Sequence, residues 1–95
     1  MSGLTAETWI QRSDTVLSSP LSGAIVMMNI ESGNYFDLDG TGARIWSLIE
    51  SPRTVGDLCD ELMVEFDVDR ETCLSQVIEF IGELSANNLV STLGE

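Results

Sequence analysis

The sequence predicts an α+β fold, and two features carry that prediction. The hydrophobic pattern has a two-residue period before Asp39 and a helical period after it. Strand-like and helix-like stretches are therefore segregated rather than interleaved, which argues against a parallel βαβ sheet. With 95 residues, 43% of them hydrophobic, the chain has room for one domain with its own core.

Residues 15–18 read as a weak first strand, and Ser19, Pro20, Leu21, Ser22 and Gly23 break it. Residues 24–30, rich in β-branched and long apolar side chains, make a better strand. Glu31, Ser32, Gly33 and Asn34 form a hairpin turn, with Gly33 and Asn34 able to take positive φ. The return strand, residues 35–38, puts Phe36 and Leu38 on one face and Tyr35 and Asp37 on the other.

Three helices are predicted to follow. The first spans residues 41–50, with Ile45, Leu48 and Ile49 at helical spacing and Trp46 beside them. Pro52 disfavours helical backbone at Ser51 and ends it. The second starts from Thr54 as N-cap, with Asp57 three residues on, a variant of the capping box. Val55, Leu58, Cys59, Leu62, Met63 and Phe66 form its apolar stripe. The third is capped by Asp67 or Asp69 and closed by Asn87 or Asn88. Its apolar residues Cys73, Leu74, Val77, Ile78, Phe80, Ile81 and Leu84 cover an arc of about 160°, against the ~100° that one core contact requires. Either this helix is deeply buried, or one edge meets the core while the other lines a groove.

Composition excludes much chemistry. Sixteen acids face four arginines, a formal net charge of −12, and the chain has neither lysine nor histidine. Ser–His–Asp and Cys–His arrangements, Schiff-base lysines and a P-loop lysine are therefore impossible. Two cysteines without histidine cannot complete a zinc site of nitrogen and sulfur, so no metal and no cofactor is expected. The acidity disfavours nucleic acid and suits cationic or near-neutral peptides and proteins. No signal or membrane segment is visible, which points to the cytoplasm. Cys59 and Cys73 lie on apolar faces and read as buried free thiols in a reducing compartment.

Three short motifs dissolve on inspection. Asp37, Leu38, Asp39, Gly40 and Thr41 match the DxDGT signature of haloacid-dehalogenase-type phosphatases, but that chemistry needs a parallel sheet and a cationic clamp. A strand–turn–helix junction needs the same residues for capping and turning. Asp67, Asp69 and Glu71 open like a calcium loop, yet Thr72 stands where glycine belongs and Ile78 where the bidentate glutamate belongs. An acyl carrier protein requires an Asp-Ser pair, and the chain has none. No catalytic residue is expected.

The run from Glu31 to Trp46 (Glu31, Ser32, Gly33, Asn34, Tyr35, Phe36, Asp37, Leu38, Asp39, Gly40, Thr41, Gly42, Ala43, Arg44, Ile45, Trp46) resembles the signature of the PqqD-like family. These are recognition elements for the leaders of ribosomally made, post-translationally modified peptides. Arg53, Thr54 and Val55, then Phe66, Asp67 and Val68, and the closing Leu84, Ser85, Ala86, Asn87, Asn88, Leu89 and Val90 fit the same layout. The likeness covers about residues 14–91; Asp39 departs from it, standing where asparagine is usual.

The resemblance implies a winged-helix-like fold, a three-stranded antiparallel sheet followed by three helices. It assigns residues 13–91 to the peptide-recognition domain, with 1–12 a flexible or swapped segment and 92–95 a tail. It also implies that a leader adds as a strand to the third strand and lies in a groove against the third helix. On that basis Asn34, Tyr35, Phe36, Asp37 and Leu38 are the pairing edge. Cys73, Val77, Phe80 and Leu84 are the groove wall, Ile81 lies between groove and core, and Leu74 and Ile78 are core. Gln76 and Glu83 flank the groove and suit basic leader side chains. The strand and the Ile45–Trp46 pair look most like the stand-alone lasso-peptide type, in which the precursor passes to a separate leader peptidase and then a cyclase. Within the family the alternative is a peptide chaperone for pyrroloquinoline quinone or another radical-SAM-modified peptide. Outside it, the fold also suits a winged-helix regulator or an acidic DNA mimic. Some relatives dimerise through N-terminal elements, so a monomer and an N-terminally mediated dimer are both open.

Overall fold

The computed structural model describes residues 4–93. The chain forms β1 (Trp9–Arg12), β2 (Val16–Leu21), β3 (Ala24–Asn29), β4 (Tyr35–Leu38), α1 (Gly40–Leu48), β5 (Arg53–Thr54), α2 (Val55–Glu65), α3 (Arg70–Ala86) and β6 (Val90–Leu93). This is the α+β fold that the change of period predicts. The antiparallel β2-β3-β4 sheet precedes the helices, as the resemblance implies.

A second antiparallel sheet, ordered β5-β1-β6, was not expected. Its central strand is β1, within the segment 1–12 read as flexible or swapped. Trp9 pairs with Leu93 on one side and Thr54 on the other, all within one chain. Ile10, within that segment, is fully buried. The same segment satisfies the start of α2, because the Val55 and Gly56 amides donate to the carbonyls of Thr8 and Ala6. Thr92 and Leu93, assigned to a tail, belong to β6. Residues 1–3 and 94–95, the outer parts of both assignments, lie outside the described residues.

The first strand is longer than its propensity suggested, because β2 runs through Pro20. A two-residue turn at Ser22 and Gly23, both at positive φ, returns the chain to β3. Ile30 donates to the Thr15 carbonyl, which makes Thr15 and Ile30 a hydrogen-bonded pair. By alternation Val16, Ser18 and Pro20 turn their main-chain groups to the open edge, where a missing N–H breaks no ladder bond.

The helices pack as their stripes predict. Ile45, Trp46, Leu48 and Ile49 from α1 meet Val55, Leu58, Cys59 and Leu62 from α2 in the core. Phe66 departs from its predicted stripe: it is the C-cap of α2, and there it is exposed. Thr54 caps α2 by accepting from the Asp57 amide, and Asp69 caps α3 by accepting from the Thr72 amide. The hydrogen bonds with Thr72 hold the Asp69 carboxyl below the usual carboxylate range. Asp39 occupies the N-cap of α1, but its side chain makes no capping bond. At the far end of α3 both asparagines act: Asn87 is the C-cap, and Asn88, at φ 60°, makes the left-handed turn. The amides of Asn88 and Leu89 close back on the carbonyls of Ser85 and Leu84, a Schellman motif.

The wide arc of α3 is now divided. Cys73, Val77, Ile81 and Leu84 are buried in the core, with Leu74 and Ile78 half-buried on one side of them and Phe80 on the other. Ile81 is therefore core rather than groove. Leu84, Cys73 and Val77 face the core as well as a cleft, because the groove floor and the core are one surface.

Candidate functional site

The site is built on an open sheet edge. Among the described residues, β4 has β3 as its neighbour and no strand beyond it. The Asn29 amide donates to the Asn34 carbonyl, so Asn29 and Asn34 are a hydrogen-bonded pair. Counting along the register, Phe36 and Leu38 bond to β3, while Tyr35 and Asp37 turn their N–H and C=O groups outward. Of the five predicted edge residues, only Tyr35 and Asp37 thus offer main-chain groups to an incoming strand. Asn34 spends its carbonyl on Asn29 and lines neither cleft described below.

Two clefts run beside this edge and meet at Phe80. One, about 270 Å³, lies between β4 and the end of α3, and takes in Tyr35, Phe36, Asp37, Leu38, Glu83 and Leu84. The other, about 290 Å³, lies between α1 and α3, over Cys73, Gln76 and Val77. Phe80 lines both. The structure therefore gathers every predicted site residue except Asn34 and Ile81 around two adjoining clefts that share Phe80. The first cleft carries two carboxylates, Asp37 and Glu83, whereas the lining of the second is largely apolar.

Several lining residues lay outside the predicted set. Thr41, Gly42 and Ile45 from α1, Leu62 from α2, and Phe66 and Val68 from the α2–α3 connection complete the second cleft. In the sequence Ile45, Leu62 and Phe66 read as members of apolar core stripes, which conceals the face each turns to the cleft. Asn29 is a further case. It is buried, donates from Nδ2 to the Asn88 carbonyl, and accepts the Glu31 amide on Oδ1. One side chain thus ties the β3–β4 turn to the end of α3, and so fixes the two groove walls to each other.

Gly42 sets how closely α1 approaches Phe80. A Cβ at this position would stand 3.3 Å from both Cε1 and Cζ of the Phe80 ring. Gly42→Ala is expected to displace that ring and weaken peptide binding several-fold. The same change favours the helix by about 1 kcal/mol at most, so the melting temperature should hold or rise. Titration calorimetry beside a thermal melt checks this divergence; equal affinity would show that the ring's position is immaterial.

Cys73 forms part of the groove floor, with Cys59 beyond it, and both thiols are free and buried. Burial, followed by the neighbouring Cys73, pushes the Cys59 thiol up to about 12. Folding therefore holds this proton. The associated stability is complete below the ordinary thiol pKa and is lost as pH rises toward the folded value. Iodoacetamide at pH 8 should alkylate native Cys59 far more slowly than the urea-unfolded chain, read by mass spectrometry. Equal rates would contradict this burial.

The fold and groove define a small α+β domain with an open strand edge beside an apolar helix face. The chain belongs to the PqqD family, described as "Coenzyme PQQ synthesis protein D (PqqD)", which it matches over residues 24–90. A PqqA binding protein from Gluconobacter oxydans (strain 621H) is 30% identical over 57 residues; these span 60% of this chain and 59% of that relative. The structure of TbiB1 in complex with the TbiA(beta) leader peptide superposes with a TM-score of 0.83 at 30% identity, covering 90% of this chain and 99% of that one. A lasso peptide synthetase B1 complexed with its leader peptide shares the fold, with a TM-score of 0.78 at 18% identity, covering 86% of this chain and 96% of that one. Among the described residues no helix is long and apolar enough to cross a membrane.

Proposed function

We propose that this chain binds the leader region of a ribosomally synthesised precursor peptide by adding it as a strand to β4. It carries out no catalysis and presents the bound precursor to a separate maturation enzyme, in the cytoplasm where the precursor is made. The observation that carries this reading is the open edge of Tyr35 and Asp37 beside two clefts that share Phe80. Main-chain pairing would supply affinity, and the clefts would select side chains. β2, the other edge of the sheet, is the poorer acceptor, since Pro20 offers no N–H along it.

Likeness to the TbiB1–leader complex supports a leader peptide as the ligand; a lasso-peptide leader, with a leader peptidase as the next enzyme, is the reading that the strand and the Ile45–Trp46 pair favour. The PqqA binding relative supports a second reading, a chaperone for the peptide precursor of pyrroloquinoline quinone. With β1 paired inside its own chain, a monomer is the working state. Titration calorimetry with the synthetic leader of the precursor encoded beside this chain decides the main point. Binding in the micromolar range or tighter is expected, and no heat at tens of micromolar would overturn the reading.

A further inference from the structure

The thiols of Cys59 and Cys73 face each other across the α2–α3 interface, close enough to interact through a hydrogen bond. The packing around them fixes that juxtaposition. Arg70, three residues before Cys73, pairs with Asp60, the residue after Cys59, at 2.8 Å. A Cβ on Gly56, three residues before Cys59, would stand 3.6 Å from the same guanidinium. The first turn of α3 therefore lies against the first half of α2. The two cysteines differ in access. Cys59 has no exposed surface, whereas Cys73 is 4% exposed and lines the α1–α3 cleft.

We propose that Cys73 and Cys59 form an oxidation site, where hydrogen peroxide entering the cleft makes a disulfide that ties α3 to α2 and weakens leader binding. The cleft, about 290 Å³, admits a molecule this small. Cys73 reacts first, because it is the thiol that the cleft reaches; burial holds the proton on Cys59. The Cys73 sulfur attacks one peroxide oxygen, the O–O bond breaks, and the thiol proton leaves with the other oxygen as water. Cys73 is then a sulfenic acid. The Cys59 sulfur attacks the Cys73 sulfur, the S–O bond breaks, and the departing hydroxide takes the Cys59 proton as a second water. The two thiols together lose two electrons, and the peroxide gains them. In a reducing compartment the dithiol is the resting form.

The effect on affinity rests on the leader-binding reading. Cys73 is part of the groove floor, and a disulfide draws its sulfur to ~2.05 Å from that of Cys59. The sulfur that a leader side chain would meet turns inward, and the packing of α3 on α2 shifts with it. A close-packed interior relaxes only in part, so the cleft changes shape. Linkage makes the coupling reciprocal, so bound leader favours the dithiol. A seated leader also covers the entry to Cys73. Oxidation thus withdraws empty carriers and spares loaded ones.

The test treats the purified chain with hydrogen peroxide, with and without saturating synthetic leader, and follows intact mass and non-reduced peptide maps. A Cys59–Cys73 disulfide within one chain is expected, formed at least tenfold more slowly when leader is bound. Calorimetry should show at least fivefold weaker leader binding by the oxidised chain, restored by dithiothreitol. In Cys59→Ser, which lacks the resolving thiol, dimedone should trap the sulfenic acid on Cys73. Both thiols recovered unoxidised from the folded chain overturn the inference, as does a disulfide that leaves leader affinity unchanged. If the reduced chain binds no leader, the proposed function falls while the mass still decides the disulfide, which separates the two outcomes.

Discussion

Phe80→Ala is expected to weaken leader binding by about thirtyfold, roughly 2 kcal/mol, while the domain stays folded. Phe80 lines both clefts, so its removal merges them and strips the apolar wall from each. Anchors of this kind concentrate binding energy, since an aromatic ring supplies much area with few rotatable bonds. The cost to stability is smaller than the ~3–5 kcal/mol of a buried Phe→Ala change, because this ring is only half-buried. Calorimetry on the leader and a urea melt separate the two quantities. Parental affinity in the variant would remove the groove from the account. Val77→Asp, on the same helix, is not an equivalent probe. Val77 is 2% exposed and in the core, so a carboxylate there should unfold the domain rather than report on the groove.

Ile10→Ala should cost about 2–5 kcal/mol, a large share of the ~5–15 kcal/mol that keeps a domain of this kind folded. Ile10 has no exposed surface and lies in the central strand of the second sheet. The neighbouring Ala6 and Thr8 carbonyls accept the first amides of α2, so loosening β1 also exposes a helix start. Ile10→Asp should go further and abolish the cooperative transition, because its carboxylate would have no partner. Urea denaturation followed by tryptophan fluorescence measures both variants. Midpoints equal to the parent's would restore the picture of a fraying N-terminal segment.

The contrast between these two sites shows what the sequence could and could not reveal. The hairpin, the helices and their caps were legible because each is local: Gly33, Thr54 and Asp69 act within a few residues of themselves. The second sheet was not legible, since β1, β5 and β6 are two to four residues long and pair across most of the chain. Trp9 and Ile10 alternate exposed and buried, yet so short an alternation carries no signal until its partners are known. Pro20 misled in the opposite direction. It marks an edge rather than an end, and only the ladder distinguishes the two.

The groove was partly legible for the same reason. A surplus apolar arc on α3 showed that the helix has more than one neighbour, and the family resemblance indicated which side to choose. Phe80, Gln76 and Glu83 follow from that choice. Ile81 does not, because periodicity alone cannot place the border between groove and core on a continuous apolar surface. Asn34 falls outside the edge through ladder phase, a property of the pairing and not of the residue. Gly42 and Asn29 needed the structure outright: one acts through the side chain it lacks, the other through bonds to both groove walls.

The original absence of lysine and histidine agrees with a protein that holds a peptide while other proteins perform the chemistry. Strand addition requires main-chain pairing on β4, which amide hydrogen exchange resolved by NMR reads residue by residue. In the free chain Phe36 and Leu38 should already be protected by β3, while Tyr35 and Asp37 exchange freely. Adding the leader should slow exchange at Tyr35 and Asp37 at least tenfold and leave the β2 edge unchanged. Tight leader binding with Tyr35 and Asp37 still exchanging as in the free chain would contradict strand addition.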